Sequence, residues 1–258
     1  MKRAESAGVI ESNTVILERI KELKAEHPFW GYRRIWATLK YVDGHEINKK
    51  RVLRLMRKHE LLVKSRSNLK ATRVPQRSKP KPDRPDQWWG IDMTKVMVQG
   101  FGWVYIVVVL DWYTKKVVGY YAGLQCKSAH WLEALDMAVN IQFPDGARNH
   151  VLSLMSDNGC QPTSISFMKS CRDMGIKQAF TGYNNPKGNA DTERFFRTMK
   201  EELLWLRDWV NPMELMDEIG EWIPNYSANY LHSSLGYKTP NQAETEYYNG
   251  QLLHNLRA

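Results

Sequence analysis

The chain has 258 residues, of which 43% are apolar and 25% are charged, proportions typical of a folded globular protein and not of a disordered or fibrous one. Its longest apolar run, Val104 to Leu110, is far below the roughly 18 residues that a membrane span needs. The start of the chain has no apolar signal core, so we expect a cytoplasmic protein with no membrane partner. Only three cysteines occur, without a Cys-x-x-Cys pair, which excludes a disulfide framework or a zinc ribbon.

The positive charge is concentrated at one end of the chain. Residues 1–87 contain 22 Lys and Arg against 10 Asp and Glu, whereas residues 88–258 contain 15 against 18. A basic region joined to a mildly acidic one suggests that the first region binds a polyanion such as DNA.

The basic region reads as three helices. Ile16, Ile20 and Leu23 recur at helical spacing, a second helix is predicted from Tyr32 to Tyr41, and a third follows a potential N-cap at Asn48. Two short helices joined by a turn with a glycine have the size and order of a helix-turn-helix. A small amphipathic bundle whose basic face is only solvated is an equal alternative.

Residues 64–86 have a different composition, rich in Lys, Arg, Ser and Pro and poor in large apolar side chains. This composition is typical of a linker. Its charge could follow a phosphate backbone or serve only as a solvated tether.

The second region begins with a predicted three-stranded meander. Its strands, rich in Val, Ile, Tyr and Trp, run from Trp88 to Val98, from Trp103 to Asp111 and from Lys116 to Ala122. Its tryptophans, including Trp88, Trp89, Trp205 and Trp209, are expected in the core and not as stacking platforms for bases.

Helices and strands then alternate. We expect a helix from Ser128 to about Ile141, a strand from His150 to Met155, a helix from Ile165 to Met174, a strand from Lys177 to Phe180, and a long helix that follows the loop from Gly182 to Asn189 and runs to about Leu206. Three strands followed by such alternation predict an α/β fold with a sheet of mixed direction.

Three carboxylates of this region stand out by position. Asp92 interrupts a strand, where Asp is depleted, and Asp157 ends the next strand after the first helix, at the edge where open α/β sheets place ligands. Glu193 lies in the first turns of the last helix, which could carry it over the strand ends. Clustered carboxylates require a cation, and oxygen-only ligands favour Mg²⁺ or Mn²⁺. Two such ions could promote an in-line displacement at phosphorus, with Asp92 bridging both, Asp157 completing one and Glu193 the other.

Each of these carboxylates also has an ordinary structural interpretation. Asp157 opens a common turn after a strand, and Glu193 favours a helix N-terminus. Asp111 and Asp191 compete for the same roles, but Asp111 precedes a turn and is expected to be structural. Asp191 is two positions from Glu193, so the two cannot face the same cleft on a helix.

Several blocks of the sequence, in order along nearly the whole chain, are shared with a known family. The three carboxylates Asp92, Asp157 and Glu193 match the D,D(35)E pattern of that family, because 35 residues separate Asp157 from Glu193. The other blocks are His27-Pro28-Phe29-Trp30-Gly31-Tyr32-Arg33-Arg34-Ile35, Asn48 to Met56, Trp89 to Thr94, Ser156-Asp157-Asn158-Gly159, Gly188 to Phe196 and His232-Ser233-Ser234-Leu235-Gly236-Tyr237-Lys238-Thr239-Pro240. The chain thereby resembles DDE transposases of the insertion-sequence-three family, products of a second reading frame with a retroviral integrase-like catalytic core.

The resemblance implies an RNase H-like mixed five-stranded sheet flanked by helices, preceded by a small all-α helix-turn-helix-like module. It implies Mg²⁺-dependent cleavage at insertion-sequence ends and transfer of the released 3′-hydroxyl to another phosphodiester, with two ions for which Mn²⁺ can substitute. Asp92, Asp157 and Glu193 are then the catalytic and metal-binding residues. The residues expected to contact DNA are Arg33, Arg34, Lys50, Arg51, Arg54, Lys187, Arg197 and Lys200. Two positions depart from the family pattern, since Tyr226-Ser227 and Tyr230-Leu231 stand where Tyr-Asn and Arg-Pro are usual.

We therefore expect a helix-turn-helix-like DNA-binding module in residues 1–63, a linker in 64–86, a catalytic core in 87–210 and a C-terminal helical extension in 211–258. Expected partners are the terminal inverted repeats, target DNA, further copies of the chain as a homodimer or larger assembly, and an upstream-frame protein or a fusion with it. Two alternatives remain open at this point: a non-catalytic DNA-binding regulator of transposition, and a structure-specific nuclease on the same fold.

Overall fold

The computed structural model of the chain describes residues 7–63, 80–181 and 186–255, with the backbone alone for residues 7–10, 186–187 and 254–255. The chain forms two compact units, Met1–Arg73 and Val74–Ala258. Residues 64–79, which include most of the predicted linker, lie outside the described part, and the domain boundaries stay a prediction. No helix within the described residues is long and apolar enough to cross a membrane.

The first unit contains three helices, α1 (Ala7–Glu26), α2 (Tyr32–Tyr41) and α3 (Lys49–Lys58). They bury a shared apolar core that includes the predicted stripe of α1, with members Ile16, Ile20, Leu23, Ile35, Leu39, Val52 and Met56. The Asn48 side chain accepts a bond from the Lys50 N–H and caps α3 as predicted. The Arg19 guanidinium bonds the Asp43 carboxylate at 3.0 Å, which ties α1 to the turn after α2.

The second unit is built on one mixed five-stranded sheet, as predicted. The strands are β1 (Trp88–Val98), β2 (Gly102–Asp111), β3 (Val117–Gly123), β4 (Ser153–Ser156) and β5 (Lys177–Phe180), in the spatial order β3-β2-β1-β4-β5. The β1–β2 and β2–β3 pairs are antiparallel, whereas β1–β4 and β4–β5 are parallel. The central position of β1, between an antiparallel and a parallel neighbour, brings the strand with Asp92 beside the one that Asp157 follows.

Helices cover both faces of this sheet. They are α4 (Ser128–Gln142), α5 (Ile165–Asp173), α6 (Ala190–Met199) and α7 (Pro212–Asn229), and a last helix, α8 (Pro240–Asn255), packs against α7. Because side chains alternate along a strand, β1 and β2 contribute to two cores. One core joins Trp89, Ile91, Val107 and Val109 to α4 and α5, and the other joins Ile106, Val108 and Leu110 to α6 and α7.

Two predicted boundaries differ from the structure by more than one residue. Strand β4 begins at Ser153 and not at His150, because its partner β1 itself begins at Trp88, opposite Ser153. The predicted long helix is α-helical only to Met199 and continues as a π-helix over Lys200–Leu204, in which the Trp205 N–H bonds the Lys200 carbonyl.

The chain then turns back to the sheet, where the Gln99 N–H bonds the Trp209 carbonyl at 2.8 Å. Trp209 is buried, as is Trp89, but Trp205 is 61% exposed, so its predicted place in the core is wrong. It lies on the outside of the turn that follows the π-helix.

Candidate active site

Asp92 and Asp157 stand side by side at the junction of two parallel strands. Gly90 of β1 pairs with Met155 of β4, and each aspartate lies two residues further along its own chain. Neighbouring strands are about 4.8 Å apart, so the register alone brings the two carboxylates into one neighbourhood. Asp92 is half-buried and accepts the Met93 N–H at 2.8 Å, whereas Asp157 is exposed and accepts the Gly159 N–H at 3.0 Å.

Glu193 reaches the same region from the first turn of α6, where it is exposed. The preceding residue, Thr192, is fully buried and bonds the Asn189 side chain, which in turn bonds the Ile91 carbonyl of β1. These contacts place the start of α6 against the strand that carries Asp92.

The pKa of Asp92 depends on the charges of Asp157, Glu193 and Lys200. The pKa of Asp92 is raised from 3.8 to about 6, chiefly because burial disfavours the charged form. The negative charges of Asp157 and Glu193 also raise this pKa, whereas the Met93 N–H and the Lys200 ammonium lower it. The site is therefore a place where negative charge is unfavourable until a cation compensates it.

Lys200 is the first residue of the π-helix, seven residues after Glu193, and is half-buried. Its ammonium lowers the pKa of Asp92, so it lies within the electrostatic field of that carboxylate. A π-helical turn changes the direction of the side chains that follow it and is frequent at functional sites.

The chemistry of the donor set fits a hard divalent cation, because all three groups are carboxylates and such oxygens are the preferred ligands of Mg²⁺ and Mn²⁺. In the described part of the chain, no three His, Cys, Asp or Glu side chains stand close enough to hold one ion as they lie. The charges of Asp157 and Glu193 act on Asp92. The three carboxylates nevertheless do not converge on one point, because like charges repel each other.

The two competing aspartates are engaged elsewhere. Asp111 is buried at the end of β2 and accepts the Thr114 N–H at 2.8 Å and its hydroxyl at 2.6 Å, so it closes the turn to β3. Burial raises the pKa of Asp111 to about 6. Asp191 forms an ion pair of 3.0 Å with Lys115.

The basic candidates of the first unit have different environments. The Arg51 guanidinium bonds the side chains of Asn13 and Ser12, both at 2.9 Å, so it holds α1 to α3. Lys50 and Arg54 are exposed on α3. The other two lie on α2: Arg33, exposed, stands over the Tyr32 ring and Arg34, half-buried, over the Trp30 ring.

Two further candidate DNA contacts, Lys187 and Arg197, lie just before and on α6. Arg197 is exposed and forms an ion pair of 2.9 Å with Glu201. The Lys187 side chain lies outside the described residues, as do residues 182–185 of the predicted loop.

Residues at the two departures from the family pattern make defined contacts. The Tyr230 hydroxyl lies 3.1 Å from the Thr198 hydroxyl on α6, and its ring packs against those of Tyr226 and His232. Ser227 bonds the Ile223 carbonyl within α7. Tyr226 also packs against Phe195 of α6, so these aromatic residues contact α6 at both Phe195 and Thr198.

Sequence reasoning missed Asn189, Thr192 and Lys115, which hold α6 in place. Asn189 precedes a helix, and such an Asn is normally interpreted as an N-cap. The partner of Asp191 is 76 residues away in sequence, so no local pattern indicates it.

Family models match both units of the chain. Two models of an integrase core domain match residues 82–186 and 174–240, and a model of a helix-turn-helix-like domain matches residues 11–68.

The relatives are proteins of bacterial insertion elements. The chain is 30% identical over 244 residues to InsK, named as a transposase for insertion sequence element IS150 of Escherichia coli (strain K12), covering 90% of this chain and 84% of that protein. It is 28% identical over 256 residues to the transposase for insertion sequence element IS904 of Lactococcus lactis subsp. lactis (strain IL1403), covering 95% and 98%.

Among solved structures, an integrase assembly shares the fold. The simian T-cell lymphotropic virus intasome, solved with the PP2A regulatory subunit B56 gamma, matches with a TM-score of 0.52 at 14% identity. The match covers 88% of this chain and 74% of that one.

Proposed function

The chain belongs to the insertion-sequence-three family of DDE transposases, polynucleotidyl transferases with an integrase core domain, and we propose that it cuts and joins DNA at the ends of an insertion element. The observation that carries this proposal is the common neighbourhood of Asp92, Asp157 and Glu193 on an RNase H-like sheet. Three carboxylates that repel each other are not expected to lie together beside the same two strands if their role is only structural.

The residues have separate roles in this proposal. Asp92, the most buried of the three, would be a ligand of both metal ions, Asp157 would be a ligand of one ion and Glu193 of the other. The Lys200 ammonium, already within the field of Asp92, holds a phosphate of the bound strand. Two divalent cations bound there would supply an activated attacking oxygen and a stabilised leaving oxygen for in-line displacement at phosphorus.

The basic first unit supplies DNA affinity. Phosphate contacts from α2 and α3 hold the element end and contribute little sequence discrimination. Because the proposed reaction involves two element ends, we propose a homodimer or larger assembly on terminal inverted repeats and target DNA. An upstream-frame protein or a fusion with it is a further proposed partner, and the bacterial relatives suggest action in the cytoplasm, at the nucleoid.

The test is the Mg²⁺-dependent reaction of the full chain with labelled DNA that carries the terminal repeats of its own element. We expect cleaved and joined products, and we expect the loss of both in Glu193→Gln. Cleavage without joining would instead identify a nuclease. Tight DNA binding without any reaction, in the presence of the upstream-frame product, would identify a regulator.

A further inference from the structure

The residue at the start of α6 does not act as a helix cap. An Asn before a helix normally accepts a backbone N–H of the first turn, but Asn189 makes no such bond. It is 3% exposed, and its amide nitrogen donates to the Ile91 carbonyl at 3.3 Å while its amide oxygen accepts the Thr192 hydroxyl at 2.6 Å. The polar atoms of Asn189 therefore do not cap the helix. They connect the helix to β1.

These two bonds end next to two of the candidate catalytic residues. Ile91 directly precedes Asp92, and Thr192 directly precedes Glu193. One buried side chain therefore links the backbone beside one carboxylate to the side chain beside the other. We call Asn189, Thr192 and the Ile91 carbonyl the clasp.

The clasp occupies space that is free because Gly90 has no side chain. A Cβ at this position would lie closer than 3.0 Å to the Thr192 hydroxyl and to the Asn189 amide oxygen, a separation that real Cβ atoms do not show. Strand β1 thus approaches α6 as closely as a residue without a side chain permits.

Glu193 needs such a constraint more than the two aspartates do. Asp92 lies on β1 and Asp157 directly follows β4, and the pairing of these two strands limits the separation of the two aspartates. Glu193 comes from a helix, and its distance from Asp92 depends on contacts between α6 and the sheet. A buried hydrogen bond in a low-dielectric site resists displacement, because breaking it leaves a polar group unsatisfied.

We propose that Asn189 and Thr192 are positioning residues that set the separation of Asp92 and Glu193, and thereby the affinity of this carboxylate pair for a divalent cation. This inference rests on the proposed function, because it assumes that the two carboxylates act on the same metal centre. Neither side chain of the clasp is assigned a contact with metal or DNA.

The first test compares Thr192→Val with Thr192→Ser. Valine preserves the shape but lacks the hydroxyl, whereas serine restores the hydroxyl. Mn²⁺ affinity of the full chain is measured by the paramagnetic resonance of the free ion, together with the melting temperature without metal. We expect about tenfold weaker Mn²⁺ binding in Thr192→Val, the usual scale for groups that orient metal ligands, and near wild-type affinity in Thr192→Ser.

Thr198→Val is the matched control. Thr198 lies on the same helix and is half-buried, but its hydroxyl bonds the Arg194 carbonyl and lies near the Tyr230 hydroxyl. The same loss of a hydroxyl there should lower the melting temperature without changing Mn²⁺ affinity.

The second test uses Asn189→Ala, alone and combined with Thr192→Val. Since both changes break one clasp, the double variant should bind Mn²⁺ no more weakly than Asn189→Ala. Amide hydrogen exchange in the first turn of α6 should be faster in each clasp variant than in Thr198→Val, with or without metal.

Two results would overturn the inference. The first is wild-type Mn²⁺ affinity in Thr192→Val, and the second is unchanged exchange in the first turn of α6. Failure of the proposed function has a different signature, because Asp92→Asn would then bind Mn²⁺ as the wild-type chain does. In that case the exchange measurement alone decides whether the clasp exists.

Discussion

Lys115, in the turn between β2 and β3, forms an ion pair of 3.0 Å with Asp191, two residues before Glu193. The same Lys115 contributes its backbone carbonyl as the acceptor for the Tyr226 hydroxyl of α7. One residue of a turn thus contacts both α6, the helix that carries Glu193, and α7.

Removing this ammonium should destabilise the second unit. The side chains of Lys115 and Asp191 are only 18% and 27% exposed, so Lys115→Met withdraws a cation from a carboxylate that water only partly screens. We expect a loss of about 1 to 2 kcal/mol in the free energy of unfolding, recovered in part by adding Asp191→Asn. Urea denaturation of the four proteins in the double-mutant cycle measures the coupling.

The pair Arg197–Glu201 is the control for this cycle. Its arginine side chain is 77% exposed, and solvent-exposed pairs typically contribute less than about 1 kcal/mol. A coupling for Lys115 and Asp191 as small as this one would show that the ion pair does not hold α6.

Asp92→Asn should stabilise the metal-free protein in a pH-dependent manner. The pKa of Asp92 is about 6 in the folded chain against an ordinary 3.8, so the folded state holds more protons between these values and its stability falls as pH rises through them. Asparagine does not ionise and can still accept the Met93 N–H. At pH 7 with a chelator, we expect the variant to be more stable by on the order of 1 to 3 kcal/mol.

This advantage should shrink as the pH is lowered and vanish below about pH 4, because the wild-type carboxyl is then protonated in both states. Denaturant melts across this range measure it. An advantage that is the same at pH 4 and at pH 7 would show that Asp92 does not carry a charge penalty in the folded chain.

Gly90→Ala should damage both folding and catalysis. The added methyl group would lie closer than 3.0 Å to atoms of Thr192, Asn189 and Trp112, so α6 must move away from β1. We expect a loss of about 1 to 3 kcal/mol and a reduced rate of strand transfer at saturating DNA, measured by denaturation and by single-turnover assays.

Gly220→Ala is the matched substitution in α7. Its new methyl group would meet only the Tyr120 hydroxyl, at 3.4 Å, and alanine is favoured over glycine within a helix by about 1 kcal/mol. Strand transfer in this variant should equal that of the wild-type chain. Equal behaviour of the two variants would contradict the close approach at Gly90.

In the first unit, Lys50 and Arg51 should respond differently to truncation. Lys50 is exposed, whereas the Arg51 guanidinium bonds Asn13 and Ser12. Lys50→Ala should weaken DNA binding and reduce the slope of log affinity against log salt by about 1 at unchanged stability. Arg51→Ala should lower the melting temperature of the chain, because it removes two bonds between α1 and α3.

Fluorescence anisotropy at several salt concentrations and thermal melts separate these effects. A DNA affinity of Lys50→Ala that equals the wild-type value at every salt concentration would exclude Lys50 from the DNA interface.

Local patterns predict the strands and most helices of this chain because each follows from short-range physics. The apolar run from Val104 to Leu110 identifies β2, and Asn48 marks the start of α3. The parallel neighbours β1 and β4 then bring Asp92 and Asp157 together once their register is known.

The contacts that orient Glu193 could not be predicted, because they join residues far apart in sequence. Asn189 and Ile91 are separated by 98 positions, and Lys115 and Asp191 by 76. The change from α-helix to π-helix at Lys200 also goes with a contact between distant residues, because Trp209 pairs with Val98 at the end of β1. Such features depend on the assembled tertiary structure and not on the propensity of any one segment.

The most direct test of the account compares Mg²⁺-dependent strand transfer in Asp92→Asn, Asp157→Asn and Glu193→Gln with that in Asp191→Asn. Each of the first three should reduce joining by at least about a thousandfold, the scale expected when a group that acts on the transition state is lost, while DNA binding persists. Asp191→Asn should retain joining within about tenfold, because it loses the ion pair with Lys115 but no proposed metal ligand. Wild-type joining by any of the first three variants, or a loss in Asp191→Asn as large as theirs, would contradict the assignment of the active site.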